Sequence, residues 1–278
     1  VSGRRLPAIA AAAGLLLALS AGAAERDVTG LRMAQQMQAT IANALEHKDC
    51  PAAVSALNRG LRREWREAWM LAGAMHEHGV CVKADWLKAE DYYRKAHEAG
   101  ERAALPRIVA GLAGPAGGRD KAAALWWALQ GHLQLPEPCR QPAPLVKDPD
   151  AFVRVLRQWP ARRLEACVYV AAVMSTIAGE AEFPGRAMEY GITGAVQVDF
   201  DPAQGRVDVD TRRIDTLQMT GAVDGDVLRD RESRSFARVY ERQLKAVAER
   251  ALAAYPRPEG IDPDWRLSTT FVYEILYR

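Results

Sequence analysis

Five histidines, four cysteines and a group of aspartates are the residues of this 278-residue chain that could do chemistry. The histidines, His47, His76, His78, His97 and His132, all lie in the first half. His76-Glu77-His78 does not make a zinc peptidase motif. That chemistry needs two histidines four apart on one helix face, and residues two apart do not share a face. The triplet reads as a polar helix end. Neither a G-x-S-x-G nucleophile turn nor a phosphate-binding loop occurs. Asp199, Asp201, Asp208 and Asp210 sit on strands or a hairpin without the spacing of a calcium loop, and read as solvent-face residues. Tyr92-Tyr93 and Trp126-Trp127 read as helix packing rather than as a sugar or cofactor platform. With no catalytic constellation, the chain is expected to be a non-enzyme, with no metal and no cofactor.

Cys50, Cys81, Cys139 and Cys167 contain no C-x-x-C pair, which argues against a metal site. An even number in an oxidising compartment implies two disulfides, for which four cysteines allow three pairings. Export is expected from residues 1–24. Arg4 and Arg5 precede an apolar run from Leu6 to Leu19, and the small residues Ser20 to Ala24 precede charged Glu25-Arg26-Asp27. This is the layout of a secretory signal peptide with cleavage after Ala23 or Ala24, the alternative being an uncleaved N-terminal anchor. Lysine and arginine number 37 against 35 acidic residues, for a net charge of +2, and Arg4 and Arg5 account for the excess. A balanced surface gives no reason to bind nucleic acid, and a membrane is expected only through the N-terminal segment.

Apolar residues at helical spacing organise the first half. Met33, Met37, Ile41 and Leu45 form one stripe between Leu31 and Lys48. Further helices are predicted over Pro51 to Leu61, over Arg63 to His78 with Trp65, Trp69, Ala72 and Met75 inward, and over Asp85 to Ala99 with Asp85 as N-cap. Ala103 to Leu112 and Arg119 to His132 follow. Leu135 to Pro149 is proline-rich and reads as a linker or ordered loop. Ala151 to Trp159 reads as helix. Leu164 to Ala178 mixes helix and strand signals, and its length favours helix.

The helix pairs repeat. Lys88-Ala89 and Tyr92-Tyr93 are echoed 33 residues later by Lys121-Ala122 and Leu125-Trp126, and Ala53 and Leu57 match Ala89 and Tyr93 at a shift of 36. Periods of this length mean stacked helical hairpins. The unit Glu67-Ala68, Leu71-Ala72-Gly73-Ala74-Met75, Gly79-Val80, Lys88-Ala89, Tyr92-Tyr93-Arg94-Lys95-Ala96 and Gly100 resembles the Sel-one-like repeat, a relative of the tetratricopeptide repeat. The resemblance implies a repeat region over 25–134. It also implies two bridges. Neighbouring hairpins place equivalent loops on one side, which favours Cys50 with Cys81, and this leaves Cys139 with Cys167.

From Phe183 the period changes from 3.6 to 2. Strands are predicted over Gly194 to Asp201 and Arg206 to Arg212, joined by a turn ending at Gly205. A charged connection runs from Ile214 to Ser235. A helix is expected over Phe236 to Tyr255 with Phe236, Val239, Tyr240, Leu244, Val247 and Leu252 near one face, and a last strand over Leu267 to Tyr277. Phe183-Pro184-Gly185-Arg186-Ala187, Gly191-Ile192-Thr193-Gly194, Val196-Gln197-Val198-Asp199-Phe200 and Gly205-Arg206-Val207 resemble the TonB C-terminal domain. The fold class so implied is multidomain α plus α+β: a helical-hairpin repeat solenoid followed by a small antiparallel sheet with one packed helix. The ranges are 1–24 for the signal or anchor, 25–134 for the repeats, 135–175 for a linker and connecting helices, and 176–278 for the TonB-like domain.

In that family an extended segment of an outer-membrane transporter adds a strand to the sheet edge. The resemblance therefore implies a periplasmic envelope adaptor that takes a peptide of an envelope protein or transporter. Phe183, Pro184 and Arg186 are the expected contacts, with Thr269, Phe271 and Tyr273 on the last strand. The helical repeats stand where TonB has a proline-rich span, which puts coupling to an inner-membrane motor in doubt. The alternative is a secreted repeat-containing hydrolase acting on cell-wall or β-lactam substrates, against which the missing serine or histidine constellation counts.

Overall fold

Short aspartate side chains start four of the helices described in this protein. The computed structural model describes residue 30 and residues 32–115, 117–118, 120–181, 192–216 and 226–273. The chain divides into two compact units, Val1–Ala99 and Gly100–Arg278. The expected signal segment lies outside the described residues.

Four helices build the first unit: α1 over 32–46, α2 (Cys50–Leu61), α3 (Arg66–His78) and α4 (Trp86–Glu98). Asp49 accepts from the Ala52 amide at 3.0 Å and Asp85 from the Lys88 amide at 3.2 Å, each satisfying a donor that the first helical turn leaves free. Their buried faces are made of small residues and a few large ones. Helix α1 contributes Ala34, Met37, Ile41 and Ala44; Met33 lies outside that face, exposed, and Leu45 is half-buried. Helix α3 buries Ala68, Ala72, Gly73 and Met75, whereas Trp65 and Trp69, expected inward, are half-buried. Small side chains let the helices approach closely, and a tryptophan at Ala68 would hold them apart.

Gly73 shows how close the approach is. A Cβ there would lie 2.5 and 2.6 Å from ring carbons of Tyr93. That ring is fully buried, and its hydroxyl donates to Glu77 Oε2 at 2.6 Å. Cys50 and Cys81 are bridged, with a Cα separation of 5.1 Å, tying the start of α2 to the loop after α3.

The second unit holds α5 (Ala104–Ala113), α6 (Lys121–Gln130), a 3-10 turn (Glu137–Cys139), α7 (Ala143–Val146), α8 (Pro149–Leu156), α9 (Ala161–Glu180), β1 (Ile192–Asp201), β2 (Arg206–Thr216), α10 (Asp226–Ala254) and β3 (Leu267–Tyr273). The capping device recurs. Asp120 accepts from Ala123 N and Asp148 from Ala151 N, both at 2.9 Å. Asp120 stands 35 residues after Asp85, and Ala89 and Tyr93 correspond to the buried Ala124 and Ala128. The expected 33-residue match is thus displaced by two, and its Ala122 and Trp126 are half-buried. The proline-rich stretch is ordered and holds the 3-10 turn and α7: Arg163 donates to Pro138 O, Arg140 Nε to Leu135 O at 2.8 Å, and Trp126 Nε1 to Val146 O at 3.0 Å.

Leu164 to Ala178 is helical, within α9, and every residue from Ala166 to Ser175 is buried. Tyr169 meets Phe200 of β1 with ring centroids 5.8 Å apart. Tyr255, just past α10, donates to Ala110 O at 2.9 Å and lies 3.1 Å from Thr176 Oγ1. Cys139 and Cys167 are bridged at a Cα separation of 5.5 Å.

The sheet is antiparallel, in the order β2-β1-β3. Two boundaries differ from expectation. Strand β2 continues to Thr216, and α10 begins at Asp226, so much of the expected charged connection is strand and helix. Its arginines and glutamates are good helix formers and carry no apolar stripe to signal it. Helix α10 buries Tyr240, Leu244, Val247, Ala248 and Ala251, while Val239 is exposed and Phe236 and Leu252 are half-buried.

Gly73→Ala should destabilise the first unit by about 1–2 kcal/mol, read by urea unfolding. Overpacking against the pinned Tyr93 outweighs the helix-propensity gain. The double substitution Cys139→Ser, Cys167→Ser should cost roughly 3–4 kcal/mol, as expected for opening a loop closed across 28 residues. The same measurement on oxidised protein, with reduced protein as control, checks it.

Candidate functional site

The alternation in Leu267-Ser268-Thr269-Thr270-Phe271-Val272 sorts β3 into two faces. Leu267 is buried, and Thr269 and Phe271 are half-buried on its side. Their register partners on β1 are Phe200, Val198 and Val196, all buried. Ser268, Thr270 and Val272 form the other face and are exposed, Val272 at 61%. Among the expected contacts, Thr269 and Phe271 therefore direct their side chains to the core face. Tyr273 ends the strand, paired with Gly194. Phe183, Pro184 and Arg186 lie outside the described residues. Sequence reasoning passed over Ser268, Thr270 and Val272, although Leu267 and Phe271, each directly beside one or two of them in the chain, already marked the inner face.

Among the described residues β3 and β2 are the two edges of the sheet, and they differ chemically. The outward face of β2 carries Arg206, Asp208, Asp210 and Arg212. Arg206 pairs with Asp208 at 3.1 Å, and Arg212 Nη2 with Asp210 at 2.5 Å. The register between Gln197↔Asp210 and Ala195↔Arg213 sets Thr211 and Arg212 opposite Val196 alone, a bulge in β2. Charges and bulges both disfavour further pairing at an edge. Strand β3 has neither, and among the described residues its only strand partner is β1.

The start of β3 is held by a polar turn. Asp201 is 5% exposed, in contrast to its expected solvent-facing place. It accepts from Gln204 N at 3.0 Å and pairs with Arg266 at 3.2 Å. Gly205 takes the positive φ of 62° that closes this turn, and Arg257 donates to Ala203 O at 2.8 Å. Arg266 also donates to the carbonyls of Pro263 and Trp265. Beside this turn a groove of about 520 Å³ opens between the Pro136–Arg140 loop and the Trp265–Ser268 segment.

A second cleft of the same unit, about 320 Å³, is lined by Lys121, Glu165, Tyr169, Tyr255 and Arg257 among others. Lys121 and Glu165 are paired at 2.9 Å. Burial holds the Tyr169 hydroxyl above its ordinary value of 10.0, with the charge of Arg257 pulling the other way. That environment keeps a neutral phenol, not a nucleophilic phenolate, at physiological pH.

The remaining sequence candidates sit in structural roles. His76 stacks on Tyr92 at 5.7 Å, and Glu77 accepts from Tyr93. Trp126 meets Trp127 edge-on at 5.0 Å. Asp199 accepts both its bonds from Gln197 at 3.0 Å. Among the described residues, no group of histidine, cysteine and carboxylate side chains is placed to hold a metal ion.

No family model, curated protein or solved structure matches this chain. The two disulfides suggest an oxidising, exported environment. Among the described residues, no helix is long and apolar enough to cross a membrane.

Asp201→Ala should lower stability by about 1–3 kcal/mol, because the Gln204 amide loses a buried acceptor. Arg266 is more than half exposed, so the ion pair adds little. Faster amide hydrogen exchange across Asp201 to Arg206, with lower resistance to urea, is the expected readout.

Proposed function

We propose that this chain is an exported, periplasmic binding protein of the cell envelope, whose small sheet takes an extended segment of a partner protein by strand addition at β3. The observation that carries the reading is the contrast between the two edges. Strand β2 is bulged and charged, whereas β3 presents an uncharged face of Ser268, Thr270 and Val272 beside an open row of backbone donors and acceptors. In this mode main-chain hydrogen bonds supply affinity and alternate side chains supply selectivity.

Three further features support it. The motif run from Phe183 to Val207 resembles the TonB C-terminal domain, in which an edge strand receives a transporter peptide. The helices before it, with their recurrent aspartate caps, resemble Sel-one-like repeats, a scaffold suited to a second protein contact. The N-terminal segment has the layout of an export signal, and both disulfides fit an oxidising compartment. The partner is then an envelope protein or transporter with an extended segment free to pair, and the protein acts as an adaptor in outer-membrane transport rather than as an enzyme.

The test is capture from envelope extract by the full chain, compared with the variant Thr270→Lys, Val272→Lys. Both side chains are exposed, so thermal unfolding should move by less than about 0.5 kcal/mol. The unsubstituted chain should retain a partner and show slowed amide exchange over Ser268 to Val272 once it binds. The variant should lose the partner at least tenfold. Equal capture by both chains, or binding without protection of β3, would refute strand addition.

A further inference from the structure

The first unit carries a groove that the sheet does not use. It has a volume of about 480 Å³ and is lined by Arg59, Arg62 and Arg63 at the end of α2, by Met33 and Thr40 of α1, and by Trp65. None of its lining residues is a carboxylate. Among the described residues, the only side-chain hydrogen bonds of these guanidinium groups are to neutral acceptors. Arg59 donates to Ser55 Oγ at 3.1 Å, and Arg63 donates to the Met33 sulfur at 3.2 Å while lying 5.2 Å from the Trp65 ring centre. Arg62 shows no side-chain hydrogen bond among the described residues.

Cations near the end of a helix complement its dipole, and one or two would need no other reason. The dipole does not explain why three converge on one concavity. Nor does it explain Glu64, whose backbone is left-handed at φ 55°. A residue with a Cβ adopts that conformation at a cost of about 1–2 kcal/mol. The reversal, closed by Trp65 N bonding to Gly60 O at 3.3 Å, carries the indole to the groove wall and leaves the Glu64 carboxylate out of the lining.

We propose that this groove binds an acidic peptide segment of a partner protein, in which carboxylates alternate with apolar side chains. Guanidinium forks match carboxylates, and the methionines and the indole match the apolar residues. The groove gathers three arginines in a chain whose acids and bases nearly balance. A polyanion or an anionic membrane would need a broad basic face instead.

The experiment is fluorescence anisotropy on the full chain, with a labelled peptide alternating glutamate and phenylalanine. Saturable binding is expected, weakened about tenfold by Arg62→Ala and by Arg63→Ala, since a hydrogen bond to a charged group contributes about that factor. The glutamine version of the peptide should bind at least tenfold more weakly. Arg62→Glu should abolish binding without disturbing the Arg59 or Arg63 contacts, and its melting curve should overlay that of the unsubstituted chain. Inorganic phosphate at matched ionic strength should not displace the peptide, and phosphatidylglycerol vesicles should not sediment the protein. Absence of binding, equal binding of the glutamine peptide, or indifference to the arginine substitutions overturns the proposal. Displacement by phosphate, or sedimentation with vesicles that Arg62→Glu abolishes, overturns it in favour of a simple anion site or a lipid surface. Because β3 is untouched by these substitutions, the result is independent of strand addition.

Discussion

Helix α9 offers water almost nothing, and the second unit is built around that fact. Ten consecutive residues, Ala166 to Ser175, are buried, so the helix has no solvent face over nearly three turns. Such a helix must be covered on every side. Helices α5 and α6 lie on it, α10 runs against it, and Tyr169 reaches Phe200 of the sheet. Polar groups fasten its ends. Glu180 receives Arg250 at 2.7 Å and Arg107 at 3.6 Å, and Glu165 pairs with Lys121. Cys139 secures its middle through Cys167, and Tyr255 ties it to α5 by two hydrogen-bond contacts. One apolar requirement thus gathers helices distant in sequence, the proline-rich loop and the sheet into a single body.

The same requirement decides how the sheet is used. Three strands and one helix bury little by themselves, and a small sheet of this kind needs a second layer. Here the inner face of β1, with Val196, Val198 and Phe200, supplies the core. The central strand is therefore spent on stability. Only the edges remain for anything else, and the bulge and charges of β2 close one of them.

Much of this was legible in the residues. Periodicity located the helices of the first half, and alternation located β1 and the start of β2. The disulfide pairing came from the repeat resemblance, and both bridges are present as expected. Where reading failed, each failure has a physical cause. Trp65 and Trp69 seemed to define the inner face of α3 because large apolar residues dominate any hydrophobic pattern, but the close approach at Gly73 and Ala68 favours small ones. The spacing of 33 residues matched letters, whereas the aspartate caps and the alanines four residues after them mark the spacing of 35 at which burial recurs. The early start of α10 carried no apolar signal at all. Asp201 looked like any turn aspartate until the fold brought Arg266, 65 positions later, against it.

Caps and grooves then share one logic. An aspartate at a helix start uses one carboxylate oxygen locally, on an amide three positions ahead. Two carboxylates of α4 are engaged within their own helix, Glu90 with Arg94 and Asp91 with Lys95, and the second pair holds the Lys95 ammonium above its usual range. Among the described residues, the arginines that close α2 make no ion pair. Charge balance over the whole chain therefore conceals a local imbalance. Among the described residues the groove at the end of α2 is lined by three arginines and no carboxylate, and the chain's near-neutral total gives no hint of it.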